Sequence, residues 1–240
     1  MIKLKEQEFI EELKKLNIDV DEFKLKQLKT YCDFLIEYNK TTNLTAIKDN
    51  NDIYLKHFYD SLTITKAIDL NKIDTLLDVG SGAGFPGVVL KIFFPNISLY
   101  LLDSNSKKTN FLKKLIEVLS LNNVNIINNR VEELPKSYLN SFDLVTARAV
   151  TNLPVLTELC LPFVKIDGYF ISYKGNVLEE LNDSKYTISF LGGELKDTIK
   201  LFLPKENSLR TIIKIKKISK TKEGYPRKYN EIIKKALKKS

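Results

Sequence analysis

The stretch TLLDVGSGAGFPG, Thr75 to Gly87, decides how the rest of the chain is read. Leu76, Leu77 and Val79 form a short apolar run that carries one carboxylate, Asp78, and glycine then recurs at 80, 82, 84 and 87. An apolar run of this length bounded by glycine predicts a strand buried on both faces. The glycines let the backbone turn sharply and come close to a ligand, because no Cβ stands in the way. The apolar residues from Val88 to Phe94 predict a helix over about 85–94 that Pro95 stops. Strand, glycine loop and helix together form a cradle for a nucleotide.

Downstream, strand and helix patterns alternate. Strands are expected at Ser98 to Asp103, Asn125 to Asn128, Phe142 to Ala147 and Tyr169 to Tyr173, the last opened by Gly168. Helices are expected after Ser106 as N-cap, around Leu153 to Leu161, and from Asn176 to Leu191. Glu194 to Leu203 and Leu209 to Lys216 read as a closing hairpin. Repeated β-α units predict a doubly wound, mostly parallel sheet with helices on both faces. Upstream, apolar stripes at helical spacing mark two helices, over 1–20 and 22–38. A third, capped between Asn50 and Asp52, carries Ile53, Leu55, Phe58, Leu62 and Ile64. The expected organisation is a helical subdomain over 1–72 packed on the core, a sheet domain over 73–218, and a basic tail over 219–240.

A chain of 240 residues with 43% apolar content can bury a sizeable core. No apolar run is long enough to span a membrane, and the N-terminus lacks the apolar stretch of a signal peptide. Cys32 and Cys160 are too few for a disulfide framework, and His57 is the single histidine. These counts argue against a structural metal site and a histidine-based triad, and they fit a cytoplasmic protein. A monomer is expected. The net charge of +8 belongs to the C-terminus: residues 211–240 hold 11 Lys/Arg and 2 Asp/Glu, so the other 210 residues sum to −1. Either a polyanionic partner or a solvated tail accounts for that segment.

In a doubly wound sheet the ligand lies outside the C-terminal strand ends. That rule selects Gly80, Gly82 and Gly84, then Asp103, Arg130-Val131-Glu132, Arg148 and Lys174-Gly175. A carboxylate ending the second strand can accept both hydroxyls of an adenosine ribose, in an oxidoreductase as well as in a methyltransferase. The glycine spacing separates them. A dinucleotide site uses G-x-G-x-x-G aimed at a pyrophosphate, whereas here G-x-G-x-G follows Asp78. A carboxylate beside the loop repels a pyrophosphate and suits a ligand that is cationic there, such as S-adenosylmethionine. Phe85 is expected to wall the site. His57, Asp60 and Ser61 share a helix face, read as contacting the neighbouring domain rather than as catalytic. Both cysteines read as core.

Further motifs carry a family resemblance. Asn43-Leu44-Thr45, His57-x-x-Asp60-Ser61-Leu62, Asp78 to Gly87, Lys107-Lys108, Arg130-x-Glu132, Arg148-Ala149, Lys174-Gly175 and Tyr225-Pro226-Arg227 resemble the bacterial small-subunit ribosomal RNA methyltransferase G family, also called the glucose-inhibited division protein B family. The resemblance runs from about Asn39 to Arg227. It implies a class I S-adenosylmethionine-dependent methyltransferase: a Rossmann-like seven-stranded sheet with an N-terminal helical part. The implied reaction is methyl transfer to N7 of a guanine in the decoding-region loop of 16S ribosomal RNA, as naked RNA or in the small ribosomal subunit. Cofactor contacts are implied at Gly80, Phe85, Val131, Glu132 and Arg148, beside the strand-end expectations Asp78, Gly82, Gly84 and Asp103. Lys107, Lys108, Lys174 and Arg227 are expected to bind the RNA backbone. No catalytic residue is expected, because guanine N7 carries no proton. A ribosome-binding protein without turnover and a NAD-dependent oxidoreductase are the rival readings. Lys228 to Ser240 looks helical, a departure from the family's Gly- and Pro-containing tail.

Overall fold

A computed structural model describes residues 6–237 except 48, 149, 176 and 207. The expectations touching residues 1–5, Ala149, Asn176 and 238–240 lie outside the described residues.

Two helices lead, α1 (Glu6–Lys15) and α2 (Glu22–Thr42), the second capped by the Asp21 carboxylate on the Lys24 amide. The expected third helix is broken into pieces. Asp49, not Asn50 to Asp52, caps α3 (Asn50–Ile53). A π-helical turn (Tyr54–Tyr59) and α4 (Asp60–Leu62) follow. A π turn inserts a residue into the helical ladder, which a 3.6-residue pattern does not register.

The sheet has strands β1 (Thr75–Val79), β2 (Ser98–Asp103), β3 (Val124–Asn128), β4 (Phe142–Arg148), β5 (Val164–Lys174), β6 (Gly193–Phe202) and β7 (Leu209–Lys217). Their order is β3-β2-β1-β4-β5-β7-β6, parallel except that β7 lies antiparallel between β5 and β6. Between the strands run α5 (Gly87–Phe93), α6 (Ser106–Val118), α7 (Leu153–Cys160) and α8 (Leu178–Phe190), and α9 (Tyr229–Lys234) closes the described chain.

Three boundaries correct the sequence expectation. Asn105 rather than Ser106 caps α6, its carboxamide accepting from the Lys107 amide. Helix α5 begins at Gly87, because the glycine loop and Pro86 occupy the preceding positions. Strand β5 begins five residues earlier than expected. Phe142 pairs with Val164 and Leu144 with Tyr169, so the chain bulges between the two pairs, with Asp167 at φ 69°. The bulge hides the first pair from a search for continuous alternation.

Alternation along the central strands divides the core. Leu76, Leu144, Ile171 and Ile212 face α1 to α6, while Leu77, Val145, Phe170 and Ile213 face α7, α8 and Ile232 of α9. The N-terminal helices therefore share one apolar cluster with one face of the sheet. On that face Phe111 of α6 stacks on Phe34 of α2, ring centroids 5.5 Å apart. Because β1, β4 and β5 are covered on both faces, their C-terminal ends are held rigidly in register.

Candidate active site

The glycine loop is held from below by Asp78. This side chain is 0% exposed, with Oδ2 accepting from the Gly87 amide at 3.0 Å and Oδ1 from Thr146 Oγ1 at 3.4 Å. Burial pushes its carboxyl up to about 6, opposed by the Gly87 hydrogen bond. Asp78 thus braces the loop from inside the protein and offers no surface to a ligand. A Cβ on Gly87 would stand 2.7 Å from the Asp78 carboxylate, so this glycine is needed for the brace.

Behind the loop lies an aromatic stack from the N-terminal helices. Tyr31 of α2 donates its hydroxyl to the Ala83 carbonyl. Its ring stacks on Phe85 at 5.2 Å, and the His57 ring also stacks on Phe85, at 4.3 Å. Gly84, at φ 96°, presses against the Tyr31 hydroxyl, where a Cβ would come within 2.6 Å. Phe85 is buried in this stack, so it supports the loop instead of walling the cleft.

His57 sits in a polar knot. Arg148 donates to its Nδ1 at 3.1 Å, which leaves Nε2 to donate to Thr45 Oγ1 at 3.1 Å. Arg148 also donates to the Lys56 carbonyl and pairs with Asp60, both at 3.3 Å, and Asp60 pairs with Arg210 at 3.2 Å. Burial and then the Arg148 charge lower the imidazole to about 3, so His57 is neutral at physiological pH. It joins the helical part to the sheet, as its helix-face position led us to expect.

In front of the loop opens a cleft of about 340 Å³ at the ends of β1 to β4. Gly80, Asp103, Lys108, Val131, Glu132 and Arg148 line it. The sequence placed these on five separate segments, and the topology brings them together. Asp103 accepts from the Gly82 amide through Oδ2 and from the Asn105 amide through Oδ1, each at 2.9 Å. A carboxylate has about four lone-pair sites, so two remain for ligand hydroxyls. Lys108 stands 3.6 Å from the same carboxylate. Lys107 is exposed on the first turn of α6.

Two expected RNA contacts are engaged elsewhere. Lys174 donates to the Thr151 carbonyl and pairs with Glu180 at 2.9 Å. Arg227 forms a two-pronged pair with Glu158 of α7, at 2.7 and 2.6 Å. Glu180 follows Lys174 by six residues, on α8, whereas Glu158 lies on α7, 69 residues before Arg227, and neither motif contains its partner. The sequence also gave no sign of Tyr31 as a brace or of Tyr229, which lines the cleft. Both are aromatic positions in helical patterns and read as ordinary packing. Among the described residues no group of three or more His, Cys, Asp or Glu side chains forms a metal site, and no helix is long and apolar enough to cross a membrane.

A family model described as rRNA small subunit methyltransferase G matches residues 24–209. The chain belongs to that family. Among similar proteins, the ribosomal RNA small subunit methyltransferase G of Bacillus subtilis is 44% identical over 225 residues, 92% of this chain and 94% of that one. Its namesake from Lachnoclostridium phytofermentans is also 44% identical, over 91% of this chain and 92% of its own. Solved structures at low identity share the fold. A branched-chain polyamine synthase from Thermus thermophilus superposes with TM-score 0.59 at 11% identity, over 80% of this chain and 64% of that one. The YcgJ protein of Bacillus subtilis gives 0.54 at 15% identity, over 68% of this chain and all of its own. This rRNA small subunit methyltransferase G family member has the class I methyltransferase fold, and its methyl donor is S-adenosylmethionine.

Proposed function

We propose that this methyltransferase acts on N7 of a guanine in the decoding-region loop of 16S ribosomal RNA, and that the cofactor lies in the cleft at the ends of β1 to β4. The observation that carries the reading is the convergence of Gly80, Asp103, Val131, Glu132 and Arg148 on that one cleft in a chain of this family.

The donor set fits an adenosine-bearing cation. Asp103 keeps two acceptor sites for a vicinal diol. One strand further out, Val131 supplies an apolar wall and Glu132 a carboxylate, a pairing that suits a flat base with an amine. Gly80 brings its backbone to the cleft on the other side. Beneath the loop, Asp78 is negative above about pH 6 in a medium of low dielectric, which favours a positive centre above it. When bound, the cofactor supplies a methyl group on a sulfonium.

The protein's own work is positioning and exclusion of water. Guanine N7 presents an in-plane lone pair without a proton, so no general base is required. The site is consistent with that, because both ring nitrogens of His57 are occupied. Burial raises the Cys160 thiol well above its ordinary value, and the Cys32 thiol to about 12, so neither is a ready nucleophile. Lys107 and Lys108, beside the cleft mouth, are the side chains best placed to meet RNA phosphates. A cytoplasmic monomer acting on the small subunit or its naked RNA completes the reading.

Incubation with labelled S-adenosylmethionine and either intact small subunits or protein-free 16S RNA tests it. We expect label in one guanine, at N7, mapped by nuclease digestion and mass spectrometry. Cofactor binding without label in any RNA would instead favour a binding protein that has lost turnover.

A further inference from the structure

Past the sheet, the chain returns to the cleft by a route that no strand dictates. Arg227 is tied to Glu158 of α7 by its two-pronged pair, and Glu158 is 1% exposed. Through a third nitrogen Arg227 donates to the carbonyl of Lys235, at the far end of α9, at 3.1 Å. Ile232 anchors the middle of α9 in the apolar cluster under α7 and α8. Helix α9 is thus fixed at its start, its middle and its end. Tyr229 lies in its first turn, packed on that cluster, and lines the cleft together with Leu159, the residue next to Glu158, and with Val131. Of these residues, Arg227, Tyr229, Ile232 and Lys235 lie outside positions 24–209, the part matched by the family model.

We infer that Tyr229 is an additional cofactor-binding residue, whose ring closes the cleft against the adenine, and that Arg227 and Glu158 act as its positioning pair. The inference rests on the proposed cofactor site. The sheet order places Gly80, Asp103 and Val131 on adjacent strand ends, with the diol-binding carboxylate in the middle. A base attached to that ribose then falls on the Val131 side, the side that Val131 and Leu159 make apolar. An aromatic ring is the group that gains most there, since it stacks on any flat base. On this account the C-terminal segment is part of the cofactor site, and its basic residues are not all reserved for RNA.

Calorimetric binding of S-adenosylhomocysteine to the full chain tests the inference. We expect Tyr229→Ala to raise the dissociation constant about tenfold and Tyr229→Phe to leave it within about twofold, because the ring and not the hydroxyl does the stacking. Arg227→Gln should weaken binding to the same extent as Tyr229→Ala. The double variant should then be no weaker than either single one, the signature of one residue acting through another. Thermal unfolding without ligand establishes that each variant is folded, and Tyr229→Ala carries the test by itself if Arg227→Gln is not. Unchanged binding by Tyr229→Ala, or equal losses in the Phe and Ala variants, would overturn the inference while leaving the cofactor cleft in place. Failure of the unmodified chain to bind S-adenosylhomocysteine would overturn both readings.

Discussion

Tyr31 shows how a single hydroxyl, far from the glycine motif in sequence, sets the motif's shape. Its ring is buried against Phe85, and its hydroxyl satisfies the Ala83 carbonyl in the middle of the loop. Tyr31→Phe keeps the stack and strands that carbonyl. We expect a loss of about 1–3 kcal/mol in denaturant unfolding with an unchanged slope, together with weaker cofactor binding. An unaltered unfolding midpoint would remove Tyr31 from the support of the loop. At this scale the sequence revealed residues whose type follows from position. Asp103 at a strand end and glycines in a loop can be found from spacing alone. It did not reveal partners. That Asp78 turns inward to Gly87 is a contact within the motif that spacing does not show, and that Phe85 stacks with Tyr31 and His57 and that Arg148 meets His57 depend on segments tens of residues apart.

Among elements, the short apolar runs were legible to within a residue or two, and β1 and β2 match the expected ranges. The π turn and the β5 bulge were not, since each adds residues that break a fixed period. The same distinction separates the basic side chains. Lys107 is exposed on the first turn of α6, whereas Lys174 is fastened to α8 through Glu180. A phosphate contact releases counterions, so its loss flattens the salt dependence of binding. We expect Lys107→Ala to lower the slope of log affinity for 16S RNA against log salt by about 0.7–0.9. Lys174→Ala should leave the slope unaltered and show its effect in unfolding. Filter binding across a salt series decides between them, and equal slopes for the two variants would return Lys174 to the RNA surface.

For the molecule as a whole, two buried groups set opposing responses to pH. Asp78 holds its proton up to about pH 6 in the folded chain but releases it near 3.8 when unfolded, so its contribution to stability declines as pH rises between those values. His57 behaves in the opposite sense. Its folded value of about 3 lies below the unfolded 6.5, so its contribution grows as pH rises across that range. From about pH 4 to 6 the two slopes cancel. Asp143, held below the ordinary carboxylate range, loses its contribution only at lower pH. We expect Asp78→Asn to unmask the histidine, with stability climbing by roughly 3 kcal/mol between pH 4 and 6 where the unmodified chain stays level. Parallel profiles for the two chains, from urea unfolding at each pH, would refute the opposition.

The strand order also bears on how the chain is made. Strand β7 separates β5 from β6, so the open edge of β5 cannot be covered by the strand that leaves it. It must wait until Lys217 has been synthesised, 43 residues after Lys174. At translation rates of roughly 5–20 residues per second that delay is on the order of seconds. During it, the Phe170–Ile171 stretch presents unpaired backbone to whatever chain is near. Newly made copies on one message are therefore exposed to one another along β5, a strand that the finished sheet covers on both edges.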